Sequence, residues 1–141
     1  MKLKTFLKTI LLGLCTLATV HAEDTAKIKI ENKEKTMNTY TQITQEDAMQ
    51  MMTKNDGHII LDVRRPDEYS RGHIPGAILI PNETIGSTPP EELKDLNQII
   101  LVYCRSGNRS KQAAAKLAAM GYTQIYEFGG INTWTGEITQ D

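Results

Sequence analysis

The sequence has few cysteines, few aromatic residues and no excess of positive charge. Its 141 residues include two cysteines and 6% aromatic residues, and the formal net charge is −1. There are no basic blocks either, which argues against nucleic acid as a partner. The scarcity of cysteine excludes a disulfide-rich framework. Three histidines without metal-ligand spacing give no indication of a metal site.

The longest run without charge lies near the N-terminus rather than in the body of the chain. Three lysines precede the run that starts at Thr9, and the run ends in the small-residue pattern Val20-His21-Ala22. This order predicts a signal peptide at residues 1–22, with cleavage after Ala22 and export of the mature chain. Because the run is shorter than the ~20 residues that span a bilayer, we expect no membrane anchor in the mature chain.

Cys15 lies inside this leader, and Leu14 occupies the preceding position, where a lipoprotein signal carries a small residue. Lipidation at Cys15 is therefore the less favoured alternative, and it stays open. Cleavage leaves Cys104 as the only cysteine, so the mature chain cannot form an internal disulfide. Because an unpaired thiol is exposed to oxidation in an exported protein, we expect Cys104 to have a chemical use.

The remaining chain divides into a flexible polar linker at residues 23–40 and one domain at residues 41–141. Within the linker only residues 27–30 alternate in polarity, as a marginal edge strand would. Helices are predicted at 44–52, 66–69, 91–96 and 108–120, with a final helical turn near Trp134, and strands at 58–63, 78–80, 99–103 and 124–126. This alternation predicts an α/β fold of three layers, with a mainly parallel central sheet and helices on both faces.

One stretch combines a nucleophile with features that attract an anion. Cys104 directly follows the apolar run at residues 99–103, and an Ala-rich helix begins a few residues later. Ligands bind beyond the carboxyl ends of parallel strands, so the thiol lies where a site is expected. The helix start, the charges of Arg105 and Arg109 and the backbone freedom of Gly107 together favour a thiolate in an anion nest.

The residues between the thiol and the helix have distinct expected roles. Arg105 follows the thiol directly and is the first candidate to bind an anionic substrate, whereas Arg109 either binds substrate or structures the helix start. Ser106, Gly107 and Asn108 are expected to bind the same anion through their backbone amides.

A second strand end is expected at the same edge of the sheet. Arg64 follows that strand and can reach an anion, although a structural salt bridge within the same segment is the favoured interpretation for Asp62 and Arg64. Asp67 and Glu68 are predicted to be acids that stabilise a helix N-terminus. Ser110 is predicted to be a first-turn hydroxyl that supports the loop rather than a nucleophile.

These groups suit the transfer of a sulfur atom from an anionic donor. A thiolate on Cys104 would attack the outer sulfur of a donor such as thiosulfate, sulfite would leave, and a persulfide would remain. An acceptor such as cyanide or a thiol would then remove the outer sulfur. This chemistry requires neither a metal nor an organic cofactor.

At these residues the chain resembles the rhodanese family, in particular the small single-domain sulfurtransferases that are exported to the periplasm. The similar segments are residues 61–69 with 72–77, residues 104–110, and residues 121–122 with 129–134. The resemblance extends over about residues 41–138. It implies a rhodanese-like three-layer fold, a persulfide on Cys104 and a cradle formed by residues 105–109.

Two alternative functions stay open. Phosphatases and arsenate reductases of the same fold have five residues between the cysteine and the arginine, whereas four separate Cys104 from Arg109. The shorter loop favours a single sulfur over a tetrahedral oxyanion. The other alternative is a non-enzymatic role, as a persulfide carrier or a redox binding module for another protein. The physiological donor, the acceptor and the oligomeric state are left open.

Overall fold

The computed structural model describes residues 38–141. The signal peptide at 1–22, the lipidation alternative at Cys15, the edge strand at 27–30 and most of the linker at 23–40 lie outside the described residues. The strands are β1 (Thr41–Gln42), β2 (Ile59–Asp62), β3 (Ile78–Leu79), β4 (Ile99–Cys104) and β5 (Gln124–Gly130). The helices are α1 (Gln45–Met52), α2 (Pro66–Ser70) and α3 (Asn108–Ala119), and two 3₁₀ turns cover Asn82–Thr84 and Ile131–Thr133.

The five strands form one sheet in the order β1-β5-β4-β2-β3, and every neighbouring pair is parallel. Strand β4 lies at the centre and is apolar along almost its whole length, because parallel strands covered on both faces need apolar residues at successive positions. The register places Val102 between Leu61 of β2 and Glu127 of β5. The predicted mainly parallel sheet is confirmed.

Two hydrophobic clusters cover the two faces of the sheet, and β4 contributes alternate residues to each. Val102 and Cys104 belong to the first cluster, together with Leu117 of α3. Tyr103 belongs to the second, together with Ala48 of α1. Each fully buried leucine or isoleucine contributes about 1.5–3 kcal/mol relative to exposure. The three-layer arrangement predicted from the alternation of elements is therefore present.

The predicted starts of three helices, α1, α2 and α3, agree with the structure. Thr44 caps α1 and its Oγ1 accepts a hydrogen bond from the Asp47 amide at 3.0 Å. Helix α2 begins at Pro66, whose missing amide proton is no loss in a first helical turn. Helix α3 ends at Ala119, and Gly121 follows in the left-handed conformation (φ 104°) that lets the chain turn away.

Three features differ from the expectations. The helix predicted at 91–96 is wrong: this segment forms turns, and Leu93 is its one buried residue, with its carbonyl bound by the Tyr122 hydroxyl at 2.6 Å. The Leu93 amide donates to the Pro90 carbonyl at 3.1 Å, which closes a single turn, and the contact with the distant Tyr122 holds Leu93 in that turn. Strand β5 continues to Gly130 instead of ending at residue 126. Strand β1 was not predicted, and it pairs with β5.

The N-terminal end of the described chain lies against the domain. Tyr40 is half-buried and packs on the first hydrophobic cluster, although the sequence places it at the end of the linker. Within residues 38–141, no helix has the length and apolar character needed to cross a membrane.

Candidate active site

Cys104 is the last residue of β4, and its side chain is almost completely buried, with 1% exposed. Regular pairing between β4 and β5 shifts after Val102, so that Cys104 lies opposite Gly130. Such an irregularity re-aims the side chain at the end of a strand. The sulfur is consequently directed to the start of α3, at the carboxyl edge of the sheet where the sequence predicts the site.

The loop after Cys104 folds back over the sulfur. Gly107 precedes α3 with φ 105°, a backbone conformation that other residues rarely adopt, and its amide donates a hydrogen bond to Cys104 Sγ at 3.0 Å. The first amides of a helix have no partner within the helix and carry a partial positive charge. The Gly107 amide therefore points at the sulfur from the start of the helix, and the anion nest stays a prediction.

The glycine pair at the end of β5 forms the floor under this loop. A Cβ atom at Gly130 would overlap the Arg105 carbonyl and would lie 2.6 Å from Ser106 Cα. The Arg105 carbonyl also accepts a hydrogen bond from the Asn132 amide at 3.2 Å. Because the backbones approach this closely, only glycine fits at position 130.

Behind the sulfur lies a buried carboxylate that sequence reasoning did not select. Ser110 Oγ is 3.4 Å from Cys104 Sγ and donates a hydrogen bond to Glu127 Oε1 at 2.6 Å. The Gly129 amide and Gln42 Nε2 donate to the same carboxylate, at 2.9 and 3.4 Å. Glu127 is 3% exposed and Ser110 is fully buried. The one signal in the sequence is an acid directly before Phe128-Gly129-Gly130, and the expected strand ended one residue too early to include it.

Arg109 is held by an acid of α2. Its guanidinium donates two hydrogen bonds to Glu68, at 2.7 and 2.9 Å, and this pair joins α3 to α2 beside the thiol. The Arg109 hydrogen bonds are the largest influence on Glu68 and lower its pKa from 4.5 to about 2. Glu68 Oε2 also accepts the Arg65 amide at 3.0 Å, so the predicted helix N-terminal role is present as well.

Arg64 is paired with a buried aspartate. Its Nε and Nη2 donate to the Asp62 carboxylate at 2.7–3.0 Å, and Nη2 also donates to the Gly72 carbonyl at 2.8 Å. The Arg64 residue is 5% exposed and Asp62 is fully buried. The structure thus shows a structural salt bridge, the interpretation that the sequence favoured over anion binding, and identifies Asp62 as the partner.

Arg105 has a different environment from the other arginines. It is exposed, and among residues 38–141 it forms no ion pair, whereas Arg65 and Arg71 both pair with Asp67. Arg105 lines an open cavity of about 390 Å³ together with Arg64, Arg65 and Arg71. Ser106 and Asn108 are also exposed. Arg105 and its two neighbours in the loop are therefore accessible to solvent, whereas Cys104 is buried.

Within the described part of the chain, no group of three or more histidine, cysteine or acidic side chains is placed to hold a metal ion. The groups that the structure places at the site are the Cys104 thiol, the Gly107 amide, the Arg109 guanidinium and the buried Glu127 carboxylate.

A buried thiol at the carboxyl end of a central parallel strand, beside a loop that leads into a helix, defines the candidate site of this α/β protein. Residues 44–137 match the rhodanese-like domain family, and the chain belongs to that family. The membership and the fold predicted from the sequence are confirmed.

Known relatives agree with this assignment. Thiosulfate sulfurtransferase PspE of Escherichia coli (strain K12) is 38% identical over 71 residues, which are 50% of this chain and 68% of that protein. The structure of a rhodanese with anions from E. coli is 32% identical, with a TM-score of 0.55 over 60% of this chain and 99% of the other. The crystal structure of a rhodanese-related protein from Thermoplasma volcanium is 26% identical, with a TM-score of 0.62, and covers 72% of this chain and 100% of that one.

Family membership and the similarity to PspE support a sulfurtransferase-type function, which requires a sulfur donor and a sulfur acceptor.

Proposed function

We propose that the chain is a thiosulfate sulfurtransferase that carries the transferred sulfur as a persulfide on Cys104. The main support is the 3.0 Å hydrogen bond from the Gly107 amide to Cys104 Sγ at the start of α3, which suits an anionic sulfur. The similarity to a protein named thiosulfate sulfurtransferase supports the choice of donor. Four residues between Cys104 and Arg109 form a cradle of the size expected for one sulfur atom.

The proposed reaction has two steps. In the first, the Cys104 thiolate attacks the outer sulfur of thiosulfate, a new S–S bond forms, and sulfite leaves with the electron pair of the old S–S bond. In the second, cyanide or a thiolate attacks the outer sulfur of the persulfide, and the Cys104 thiolate is released. In each step a neutral sulfur atom moves from one nucleophile to another, and the protein keeps one negative charge on its sulfur. No external oxidant or reductant is therefore required.

The surrounding residues divide into two groups in this proposal. Arg105 binds the anionic donor, because it is exposed and free of ion pairs within residues 38–141. The loop residues Ser106, Gly107 and Asn108 contribute backbone amides to the cradle. Arg64 and Arg109 remain candidates for donor binding through their charge, although both guanidinium groups are already held by carboxylates.

A persulfide carrier is the second candidate, and the burial of the thiol favours it. With 1% of Cys104 exposed, a persulfide would be protected from solvent until a partner protein opened the loop. Slow turnover with small molecules, together with a stable persulfide, is expected in that case. A phosphatase or arsenate reductase has no comparable support, because the loop is one residue short for a tetrahedral oxyanion.

We further propose that this chemistry takes place in the periplasm, on the basis of the leader at residues 1–22. Expression of the full chain followed by mass analysis of the periplasmic fraction tests this. A mature protein that starts at Glu23 is the expected product. A chain that retains residues 1–22 in the cytoplasm, or a lipid attached at Cys15, would contradict it.

The persulfide itself is tested by intact mass. The reduced protein is expected to gain one sulfur, about 32 Da, after incubation with thiosulfate, and to lose it again on addition of cyanide with formation of thiocyanate. The Cys104→Ser variant is expected to gain no mass. A native protein that gains no sulfur would refute both the enzyme and the carrier, and a phosphate ester hydrolysed by that protein would favour the phosphatase.

A further inference from the structure

Glu127 is a buried ionisable group that the proposed sulfur transfer does not use. It is 3% exposed, it lies on β5 opposite Val102, and its carboxylate accepts three hydrogen bonds at the back of the catalytic loop. Burial of a carboxylate costs free energy unless hydrogen bonds compensate for it, and three are present here. Its contact with Ser110, which in turn contacts Cys104, gives this carboxylate a path to the thiol.

The direction of the hydrogen bonds along this path follows from the number of protons available. The Ser110 hydroxyl has one proton and three neighbouring acceptors, namely Glu127 Oε1 at 2.6 Å and the Gly107 and Gly129 carbonyls at 3.0 and 3.4 Å. The carboxylate is the nearest and the only charged acceptor, so it takes the proton. Ser110 Oγ is then left to accept the S–H of Cys104 at 3.4 Å.

We propose that Glu127 is the proton acceptor for Cys104, through the Ser110 hydroxyl, and that the buried pocket holds one negative charge that moves between Glu127 and the sulfur. The Cys104 S–H bond breaks and its proton moves to Ser110 Oγ, while the Ser110 hydroxyl proton moves to Glu127 Oε1. The sulfur becomes a thiolate and Glu127 becomes a carboxylic acid. No proton enters or leaves the pocket, and no other reactant is needed.

Three physical arguments support this proton path. Two negative charges separated by one hydroxyl in a buried pocket repel each other, so ionisation of Cys104 favours protonation of Glu127. The Gly107 amide, at 3.0 Å from Sγ, stabilises the charge once it reaches the sulfur. A base within reach of the proton through one hydrogen-bonded group satisfies the geometry that general base catalysis requires.

Other charged groups near the path do not supply an alternative base. The uncharged Gln42 of β1 covers the second carboxylate oxygen of Glu127. Arg109 and Glu68 are already paired with each other. Lys111 lines the same cavity as Glu127 and forms no ion pair among residues 38–141. The charged side chains that face the path are Lys111 and Arg109 of α3 and Glu68 of α2.

The inference builds on the proposed sulfur transfer, but it is tested by a reaction that needs no sulfur donor. Alkylation of Cys104 by iodoacetamide is followed between about pH 6 and about pH 8, where an ordinary thiol loses reactivity about tenfold for each unit that the pH falls. The native protein is expected to react at a rate independent of pH, because the thiol proton moves to Glu127 and not to solvent. Glu127→Gln is expected to show the tenfold dependence, because Gln cannot accept that proton.

Two further variants complete the experiment. Ser110→Ala interrupts the path but keeps the charge of Glu127, and it is expected to show the same pH dependence as Glu127→Gln. Glu92→Gln removes a charge from an exposed loop and is expected to behave as the native protein does. A thermal unfolding curve of each variant accompanies the alkylation data. The proposal would be overturned if the alkylation rate had the same pH dependence in the native protein, in Glu127→Gln and in Ser110→Ala.

Sulfur loading from thiosulfate provides a second measurement. At about pH 7 the Glu127→Gln variant is expected to load sulfur at least ~100-fold more slowly than the native protein. A factor of this size is the lower end of the rate enhancement that general base catalysis provides. Removal of sulfur from a preloaded persulfide by cyanide is expected to keep its native rate, because that step releases a thiolate and needs no base. Equal losses in both steps would identify Glu127 as merely structural and would overturn the proposal. A native protein that loads no sulfur would refute the function proposed above, while the alkylation profile would still decide the role of Glu127.

Discussion

Arg109 and Glu68 form a two-point ion pair between the first turn of α3 and helix α2, with Nη1–Oε2 and Nη2–Oε1 distances of 2.7 and 2.9 Å. The pair is mostly shielded from water, with 22% of the Arg109 side chain and 9% of the Glu68 side chain exposed. It fixes the end of the loop that starts at Cys104. The same arginine that a sequence motif offers as a substrate ligand is therefore engaged in positioning the helix.

This ion pair predicts a specific loss of stability in acid. Glu68 has a pKa of about 2 in the folded protein, against an ordinary value of 4.5. A lowered folded pKa stabilises the fold above the unfolded value, so the contribution, on the order of 2–3 kcal/mol, is lost as the pH falls from about 4.5 towards 2. Urea unfolding of Glu68→Gln and the native protein is expected to differ at pH 6 and to converge near pH 2.

The control for this experiment is Glu92→Gln, which removes an exposed acid from a loop. Its unfolding free energy is expected to follow that of the native protein at every pH. A difference between Glu68→Gln and the native protein that stays constant across the acid range would contradict the assignment of the effect to this pair.

Replacement of the thiol predicts a loss of chemistry without a loss of fold. In Cys104→Ser the hydroxyl keeps the size of a small buried side chain but cannot form a persulfide, so thiocyanate production is expected to fall to background. The side chain packs in the first hydrophobic cluster, so a small change in thermal stability is expected. Thiocyanate assay and circular dichroism check the two parts, and substantial residual transfer by folded Cys104→Ser would refute the mechanism.

The close approach at Gly130 predicts that one added methyl group damages the site. Gly130→Ala forces the Cβ against the Arg105 carbonyl and displaces the loop, at a cost of about 1–3 kcal/mol of stability or more. A loop displaced by about 1 Å is expected to slow sulfur loading by about 100-fold. Chemical denaturation and the intact-mass loading assay measure the two effects.

Gly86→Ala is the matched control, because a Cβ at Gly86 meets nothing within 4 Å and no positive φ is required there. It is expected to keep the native loading rate and to change stability by less than about 1 kcal/mol. Equal behaviour of Gly86→Ala and Gly130→Ala would show that the backbone approach at the loop is unimportant.

Donor binding by Arg105 predicts a change in KM more than in kcat. Loss of the exposed positive charge in Arg105→Ala is expected to raise the KM for thiosulfate by roughly 3- to 10-fold and to leave the persulfide step itself intact. The KM of Arg105→Lys for thiosulfate is expected to lie between those of the native protein and Arg105→Ala. Steady-state kinetics against thiosulfate measure this, with Lys94→Ala as the exposed control. A fall in kcat at unchanged KM would place Arg105 outside donor binding.

The local order of strand, loop and helix could be predicted because each part is encoded by neighbouring residues. The apolar run at 99–103, the glycine at 107 and the Ala-rich segment after it contain the pattern that places Cys104 at a strand end. The prediction of a helix at 91–96 is wrong because the neighbouring residues do not determine the structure there. Acids and a leucine after prolines suit either a short helix or a turn. Its conformation is set by the distant contact of Leu93 with Tyr122.

The partners of the site could not be predicted because they are far apart in the chain. Ser110 and Glu127 are separated by 17 positions and Arg109 and Glu68 by 41, and each contact depends on the register of the sheet and the placement of a helix on it. A one-residue change in that register would turn Glu127 to the other face of the sheet. Periodicity indicates which face a residue prefers, but it does not indicate which side chain lies opposite.

The sequence by itself determined the family, the parallel α/β layering and the position of the Cys104 thiol between a strand and a helix, because these follow from local periodicity and contiguous motifs. Only the tertiary structure decided which arginines form ion pairs with acids among residues 38–141. Arg64 and Arg109 are held by Asp62 and Glu68, while Arg105 remains exposed. The structure also placed Glu127 behind the thiol, because strand pairing brings together side chains that no local pattern connects.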